Sequence, residues 1–155
     1  MGKYASAKAF RADCEKHFAF LVDTFGFELV PEVFEFTVTF LNATTIVSIE
    51  AGGYGTRVGV GLGRVERDRY EGAVYPFDKL LLIRQRDLAL IGPGGYPTNH
   101  DQEFQVQHYA KALLEHGTDV LRGDFGIWPE LRKKAWPRKR AAKKKVSKRA
   151  AKKKK

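Results

Sequence analysis

Three ionisable side chains, Glu35, Glu50 and Arg57, lie in or beside stretches whose apolar residues recur at every second position. That period predicts strands that turn all three to the face away from the core. Glu35 is expected opposite Glu50, and Glu50 opposite Arg57. Paired carboxylates do acid–base work where their environments split their pKa values. On an open sheet face with a guanidinium beside them, they more often form a solvated ion-pair ladder. The set is therefore read as part of a partner surface, and no residue is assigned a catalytic role.

Gly59, Gly61 and Gly63 alternate with Val58, Val60 and Leu62, which leaves one face of that strand as bare backbone beside Thr37, Thr39 and Ser48. A glycine row admits a ligand or a partner's backbone, although close packing by the protein's own loop or helix is the commoner outcome. Gly59 and Gly61 join Glu35, Glu50 and Arg57 in the expected partner surface. Neither this run nor Gly52-Gly53-Tyr54-Gly55 matches a phosphate-binding fingerprint, because no helix N-terminus follows at the required distance.

His100, His108 and His116 are spaced by eight. On one helix each is rotated by roughly 80° from the last, so they cannot share a metal. Cys14 and His17 suggest a nucleophile and base, yet both fall on or near an apolar helix face, where structural roles prevail. No metal and no cofactor is expected.

The elements that position these residues follow from periodicity. Phe10, Cys14, Phe18, Leu21 and Phe25 recur at steps of three and four, predicting a helix over 6–25 that ends at Gly26. Phe34, Phe36, Val38 and Phe40 predict a strand, followed by another through Thr45, Val47 and Ile49. A two-residue Asn42-Ala43 turn places Phe36 opposite Ile49 and Val38 opposite Val47. A third strand over 56–65 brings Val58 to Ile49 and Val60 to Val47, keeping one apolar face throughout. The charged stretch 65–72 reads as a loop, and Pro76 with Phe77, Leu80, Leu81 and Leu88 predicts a short helix. After the breaker 92–97, Thr98 with Asp101, or Asn99 with Gln102, can cap a helix that runs to His116 and ends at Gly117. Val120, Leu121, Phe125, Ile127, Trp128 and Leu131 are too apolar for a free linker and are expected to pack onto the domain.

Charge is sorted along the chain. Residues 1–131 hold 13 Lys/Arg and 18 Asp/Glu, a net of −5, whereas residues 132–155 hold 15 Lys/Arg and no acid, a net of +15. The cations are Arg132, Lys133, Lys134, Arg138, Lys139 and Arg140, then Lys143, Lys144, Lys145, Lys148 and Arg149, then Lys152, Lys153, Lys154 and Lys155. The heptapeptide Lys-Arg-Ala-Ala-Lys-Lys-Lys occurs at 139–145 and again at 148–154. So little apolar surface cannot offset chain entropy, and the tail is expected to be disordered when free. These 15 side chains are the expected nucleic-acid contacts, made through counterion release without sequence specificity. A solubilising tail, a nuclear-localisation-like signal and loose attraction to acidic membranes are the alternatives. Trp136, between Lys134 and Arg138, suits stacking on a base less well than anchoring the tail root.

The tail resembles the lysine- and alanine-rich tails of histone H1-like and some bacterial HU-like proteins, a likeness of composition that implies chromatin or nucleoid association. The segment Asp119-Val120-Leu121-Arg122-Gly123-Asp124-Phe125, before Ile127-Trp128-Pro129, resembles the C-terminal part of small uncharacterised bacterial α+β proteins, as does the Phe-rich hairpin after Gly26-Phe27. Some of these look like immunity proteins of bacterial toxin systems.

The expected fold class is α+β, a three-stranded antiparallel meander with helices packed on one face, followed by a disordered basic C-terminal tail. Domain boundaries are expected at 1–131 and 132–155. The expected function is a non-enzymatic accessory protein whose acidic domain binds an unidentified protein partner while the tail holds DNA or RNA. The alternative is an immunity-like toxin inhibitor acting through the region of Glu35, Glu50 and Asp68. No membrane insertion is expected: no stretch reaches the roughly 20 apolar residues of a spanning helix, and residues 1–20 lack the order of a signal peptide. With one cysteine, no internal disulfide is possible, which fits a cytoplasmic, nucleoid-associated protein.

Overall fold

The structure, a computed structural model, describes residues 3–31, 34–52, 57–65, 74–90 and 101–135. The chain forms two compact units, Met1–Phe125 and Gly126–Lys155. The first is α+β and is built on a five-stranded antiparallel sheet in the order β1 (Glu28–Leu29), β2 (Thr37–Leu41), β3 (Thr45–Ala51), β4 (Val58–Arg64), β5 (Tyr75–Pro76). The meander of three strands is therefore its centre, and the expectation of three strands is corrected to five. Both added strands have two residues, too few for alternation to show in sequence. Short edges, one of them containing Pro76, also leave little unpaired backbone for another chain to extend.

The predicted faces hold, but the predicted registers do not. Val38 lies opposite Ile49 and Phe40 opposite Val47, while Ile49 lies opposite Val60 and Val47 opposite Leu62. Each pairing has slid by two residues from the expected one. Asn42 explains the first slide, because its side-chain Oδ1 accepts the backbone N–H groups of Thr44 (3.0 Å) and Thr45 (2.8 Å). An asparagine used in this way stands before the turn rather than at its centre, so Ala43 and Thr44 become the central residues. Its own N–H closes the hairpin on the Thr45 carbonyl at 3.1 Å. At the next connection the Gly52 N–H donates to the Arg57 carbonyl at 3.2 Å, which extends pairing one residue beyond β3. Gly52 does this at φ +108°, a conformation that side-chain-bearing residues avoid.

Period two survives a two-residue slide, so Val38, Phe40, Val47, Ile49, Val58, Val60 and Leu62 all remain on the buried face. Helices cover that face. Residues 6–25 form two helices, α1 (Ala7–His17) and α2 (Ala19–Asp23), instead of the single one expected. The break falls at Phe18 (φ −98°, ψ 15°), whose ring packs 6.4 Å from that of Phe40, so tertiary packing overrides continuous helix there. Ser6 caps α1, accepting the Ala9 N–H at 3.1 Å. Gly26 (φ +67°) lets the Phe27 N–H return to the Leu21 carbonyl at 2.9 Å and end α2.

Helix α3 (Phe77–Arg84) leads into a 3-10 turn at Arg86–Leu88, and both α3 and α4 (Gln102–His116) pack on β4. Asp101 is the cap of α4, its Oδ1 accepting the Phe104 N–H at 2.7 Å. The caps expected at Thr98 and Asn99 lie outside the described residues, as do Asp68, most of the 65–72 stretch and the 92–97 breaker. After Gly117 comes α5 (Thr118–Leu121), with Val120 and Leu121 buried as expected.

In the second unit, α6 (Trp128–Ala135) carries Glu130 in its first turn and Arg132, Lys133 and Lys134 in its last. This charge order suits the helix dipole. Those three cations thus lie on a helix, which corrects the expectation that disorder begins at residue 132.

Candidate partner surface and nucleic-acid contacts

The outer face of the sheet is read row by row from the register. One row runs Thr37, Glu50, Gly59; the next runs Thr39, Ser48, Gly61, Pro76. Apart from Glu50 these side chains are small or absent, so the backbone lies close to the surface. A hollow of about 190 Å³ opens there, lined by Ser48, Glu50, Arg57, Gly59, Val60, Gly61, Val74 and Pro76. Four of the five expected partner residues, Glu50, Arg57, Gly59 and Gly61, are brought together in it.

Glu35 is not among them. Residues 34–36 form a turn closed by the Thr37 N–H on the Phe34 carbonyl (3.3 Å), so β2 begins later than the alternation suggests. Glu50 faces Thr37 and Gly59 rather than Glu35 and Arg57, which corrects the expected ladder of two carboxylates and a guanidinium. Glu50 and Arg57 instead stand on the rim of one hollow.

The glycine strip divides into a covered part and an open part. A Cβ added at Gly61 would overlap Val74 Cγ1, and one at Gly63 would touch Val74 Cγ2 and Ile46 Cγ2 at 3.4 Å. A Cβ at Gly59 would meet nothing within 4 Å. The protein's own chain therefore closes the strip at Gly61 and Gly63 and leaves it open at Gly59. Val74 was missed in sequence because it precedes a strand of only two residues.

The hollow offers one carboxylate, one guanidinium and one hydroxyl, and its lining contains neither histidine nor cysteine. It can hold a polar group against exposed backbone. Cys14 is wholly buried, and burial, with Asp13 adding to it, pushes its thiol well above the ordinary range. His17 Nε2 lies 3.2 Å from Asp13 Oδ1, and the Tyr4 hydroxyl donates to Asp13 Oδ2. His108 Nε2 lies 2.6 Å from the Leu88 carbonyl, and His116 lies 3.8 Å from Glu115. Among the described residues no group of three or more His, Cys, Asp or Glu is disposed to hold a metal ion.

A buried carboxylate that sequence reading passed over is Asp78. Its Oδ2 accepts the Tyr109 hydroxyl at 2.8 Å and its Oδ1 the Leu90 N–H at 2.9 Å, so it ties α3 to α4 and to the chain after the 3-10 turn. No periodic signal marks it, because an aspartate in a helix's first turn reads as a dipole partner.

No family model, curated protein or solved structure matches this chain. The site must then be weighed on its own chemistry. Of the 15 expected nucleic-acid contacts, Arg132, Lys133 and Lys134 are exposed on α6. Arg138 and every later cation, like Trp136, lie outside the described residues. Among the described residues no helix is long and apolar enough to cross a membrane.

Proposed function

We propose that this chain is a non-enzymatic accessory protein: residues 132–155 hold DNA or RNA without sequence specificity, and the acidic α+β unit binds a protein partner across its outer sheet face. The observation that carries the reading is the sorting of charge, a net of −5 over residues 1–131 against +15 over 132–155. A phosphate backbone is the polyanion best matched to so dense a run of cations, because each contact releases condensed counterions. The helical start of the tail supports this, since Arg132, Lys133 and Lys134 are exposed together. For the partner face the support is the open backbone at Gly59 between Glu50 and Arg57.

Mobility shifts with duplex DNA and with single-stranded RNA test the tether. The full chain is compared with a variant carrying Gln at the cations from Arg138 to Lys155. Full-chain affinity is expected to fall by about 10³ to 10⁵ between 50 and 200 mM salt if roughly 6–10 phosphates are engaged. Equal, salt-insensitive binding by both proteins would reject the tail as the cause.

A further inference from the structure

Glu50 and Arg57 carry opposite charges on one rim and are not joined to each other. Glu50 faces Gly59, and Arg57 stands two residues before that glycine, a diagonal position within reach of long side chains. Both line the hollow at Gly59, yet no ion pair or side-chain hydrogen bond ties either of them to another of the described residues. Glu50 is exposed and Arg57 half-buried.

The floor beside them is bare, since a Cβ at Gly59 would meet nothing within 4 Å. Two apolar side chains stand near it. Val74, 51% exposed, covers the neighbouring Gly61, and Phe34, 68% exposed, belongs to the turn whose carbonyl accepts the N–H of Thr37, in the same row as Glu50 and Gly59. Exposed apolar groups beside a polar rim mark a surface that another chain covers.

The occupant of this face must bring a cation to Glu50 and an anion to Arg57. A strongly basic or strongly acidic partner would satisfy one of the two and repel the other. A second copy of the chain, turned about a two-fold axis, presents the same two charges in reverse order, because in such an interface each residue of a pair meets the other's counterpart. The net of −5 over residues 1–131 gives two copies no attraction at a distance. At about 0.15 M salt, however, exposed charges more than about 8 Å apart are largely screened, and the local match decides.

We infer that the outer sheet face pairs with the same face of a second copy, Glu50 of each chain meeting Arg57 of the other above Gly59. The inference rests on the partner face proposed above and names its partner. Such a dimer joins two basic tails, so a strand held by one is presented to the other at high effective concentration.

The test is sedimentation equilibrium of the nuclease-treated full chain at about 0.15 M salt. Between about 10 and 200 μM the wild-type mass is expected to rise toward that of a dimer. Glu50→Arg leaves two cations on the face and Arg57→Glu leaves two anions, so each variant alone should repel itself. Each substitution counts twice across the two-fold axis, and the expected loss of dimer affinity is at least about 100-fold. Mixed in equal amounts, the two variants should form a dimer with one chain of each. Gly59→Val meets open space in its own chain and should keep the wild-type circular dichroism spectrum while blocking the dimer. If Arg57→Glu loses that spectrum, Glu50→Arg and Gly59→Val are read without it.

A wild-type chain that stays monomeric throughout, or a mixture no more associated than its parts, overturns the inference. A monomeric chain that binds a different protein and loses it on Gly59→Val overturns the second copy and spares the partner face. No nucleic acid is present in this measurement, so loss of binding in the Gln-tail variant bears on the tether alone.

Discussion

Arg84 holds Asp119 through two parallel bonds, Nη1 to Oδ1 at 2.6 Å and Nη2 to Oδ2 at 2.5 Å, while the same Nη1 donates to the His116 carbonyl at 2.8 Å. One fork thus joins the end of α3 to the end of α4 and to the start of α5, the segment that carries Arg122 toward Phe25. The guanidinium bond keeps the Asp119 carboxyl below its ordinary range. Both side chains are about a third exposed, so the pair is worth about 1 kcal/mol rather than the larger figure of a buried pair. Arg84→Gln is expected to cost that amount at pH 7. A depressed carboxylate stabilises the fold above its unfolded pKa of about 3.9 and loses this as pH falls through the folded value. The stability gap between wild type and variant, measured by urea unfolding, should therefore be full at pH 7 and narrow below about pH 4, leaving only the part due to the pH-independent bond to the His116 carbonyl. A gap that is constant with pH contradicts the assignment.

Gly59 and Gly61 are two residues apart on one face and should respond differently to the same change. Gly59→Ala meets open space and is expected to be neutral or slightly stabilising, within about 0.5 kcal/mol, since glycine is a poor strand former. Gly61→Ala drives a methyl into Val74, a stiff β-branched side chain, and is expected to cost about 1–2 kcal/mol. Adding Val74→Ala should recover most of that loss. A double-mutant cycle on thermal unfolding reads the coupling, and additive effects would show that Val74 does not cover the strip.

Tyr109→Phe leaves Asp78 Oδ2 without its hydroxyl donor in a buried site, at an expected cost of about 1–3 kcal/mol. Denaturant midpoints check this directly. A loss below about 0.5 kcal/mol would mean that the carboxylate finds another donor.

Alkali should destabilise the fold. Burial first, then the neighbouring aspartates, raises the Tyr4 and Tyr109 hydroxyls, with Asp13 beside Tyr4 and Asp78 beside Tyr109. Burial likewise raises the Cys14 thiol. A group with a raised folded pKa keeps its proton longer in the native chain, so the unfolded chain binds fewer protons and stability falls with rising pH. The loss should begin above the unfolded values, about 8.5 for cysteine and about 10 for tyrosine. Urea midpoints at successive pH values to 10.5 should decline through this window, and a flat profile would contradict the burial of these groups.

Cys14 offers a local check on the same core. With no exposed surface and a raised thiol, it should react with an aromatic disulfide reagent only when the fold opens. Labelling in water should be slow and should accelerate with urea in step with unfolding. Stoichiometric labelling within seconds without denaturant would place Cys14 outside the core.

Much of the candidate partner surface was legible because strand alternation assigns faces. Glu50, Arg57, Gly59 and Gly61 were expected on one surface, and a two-residue slide in register leaves each on that face. Glu35 was misplaced because alternation continued on paper through residues 34–36, where the backbone turns. Neither edge strand was legible, two residues being too short to display a period.

What the order of residues determined unaided is the α+β class, the buried and open faces of the central strands, the helix ends at Gly26 and Gly117 and the separation of acidic from basic chain. These depend on neighbours within a few positions, which periodicity, propensity and charge counting all sense. Tertiary structure alone decided the register, through the Asn42 side chain gripping its own turn, and which part of the glycine strip is open, through Val74. It also set Arg64 over the Phe125 ring and Arg122 over the Phe25 ring, pairs drawn from distant segments. Such outcomes rest on which surfaces meet after the chain folds back, and a local pattern assigns a side chain its face but not its neighbour.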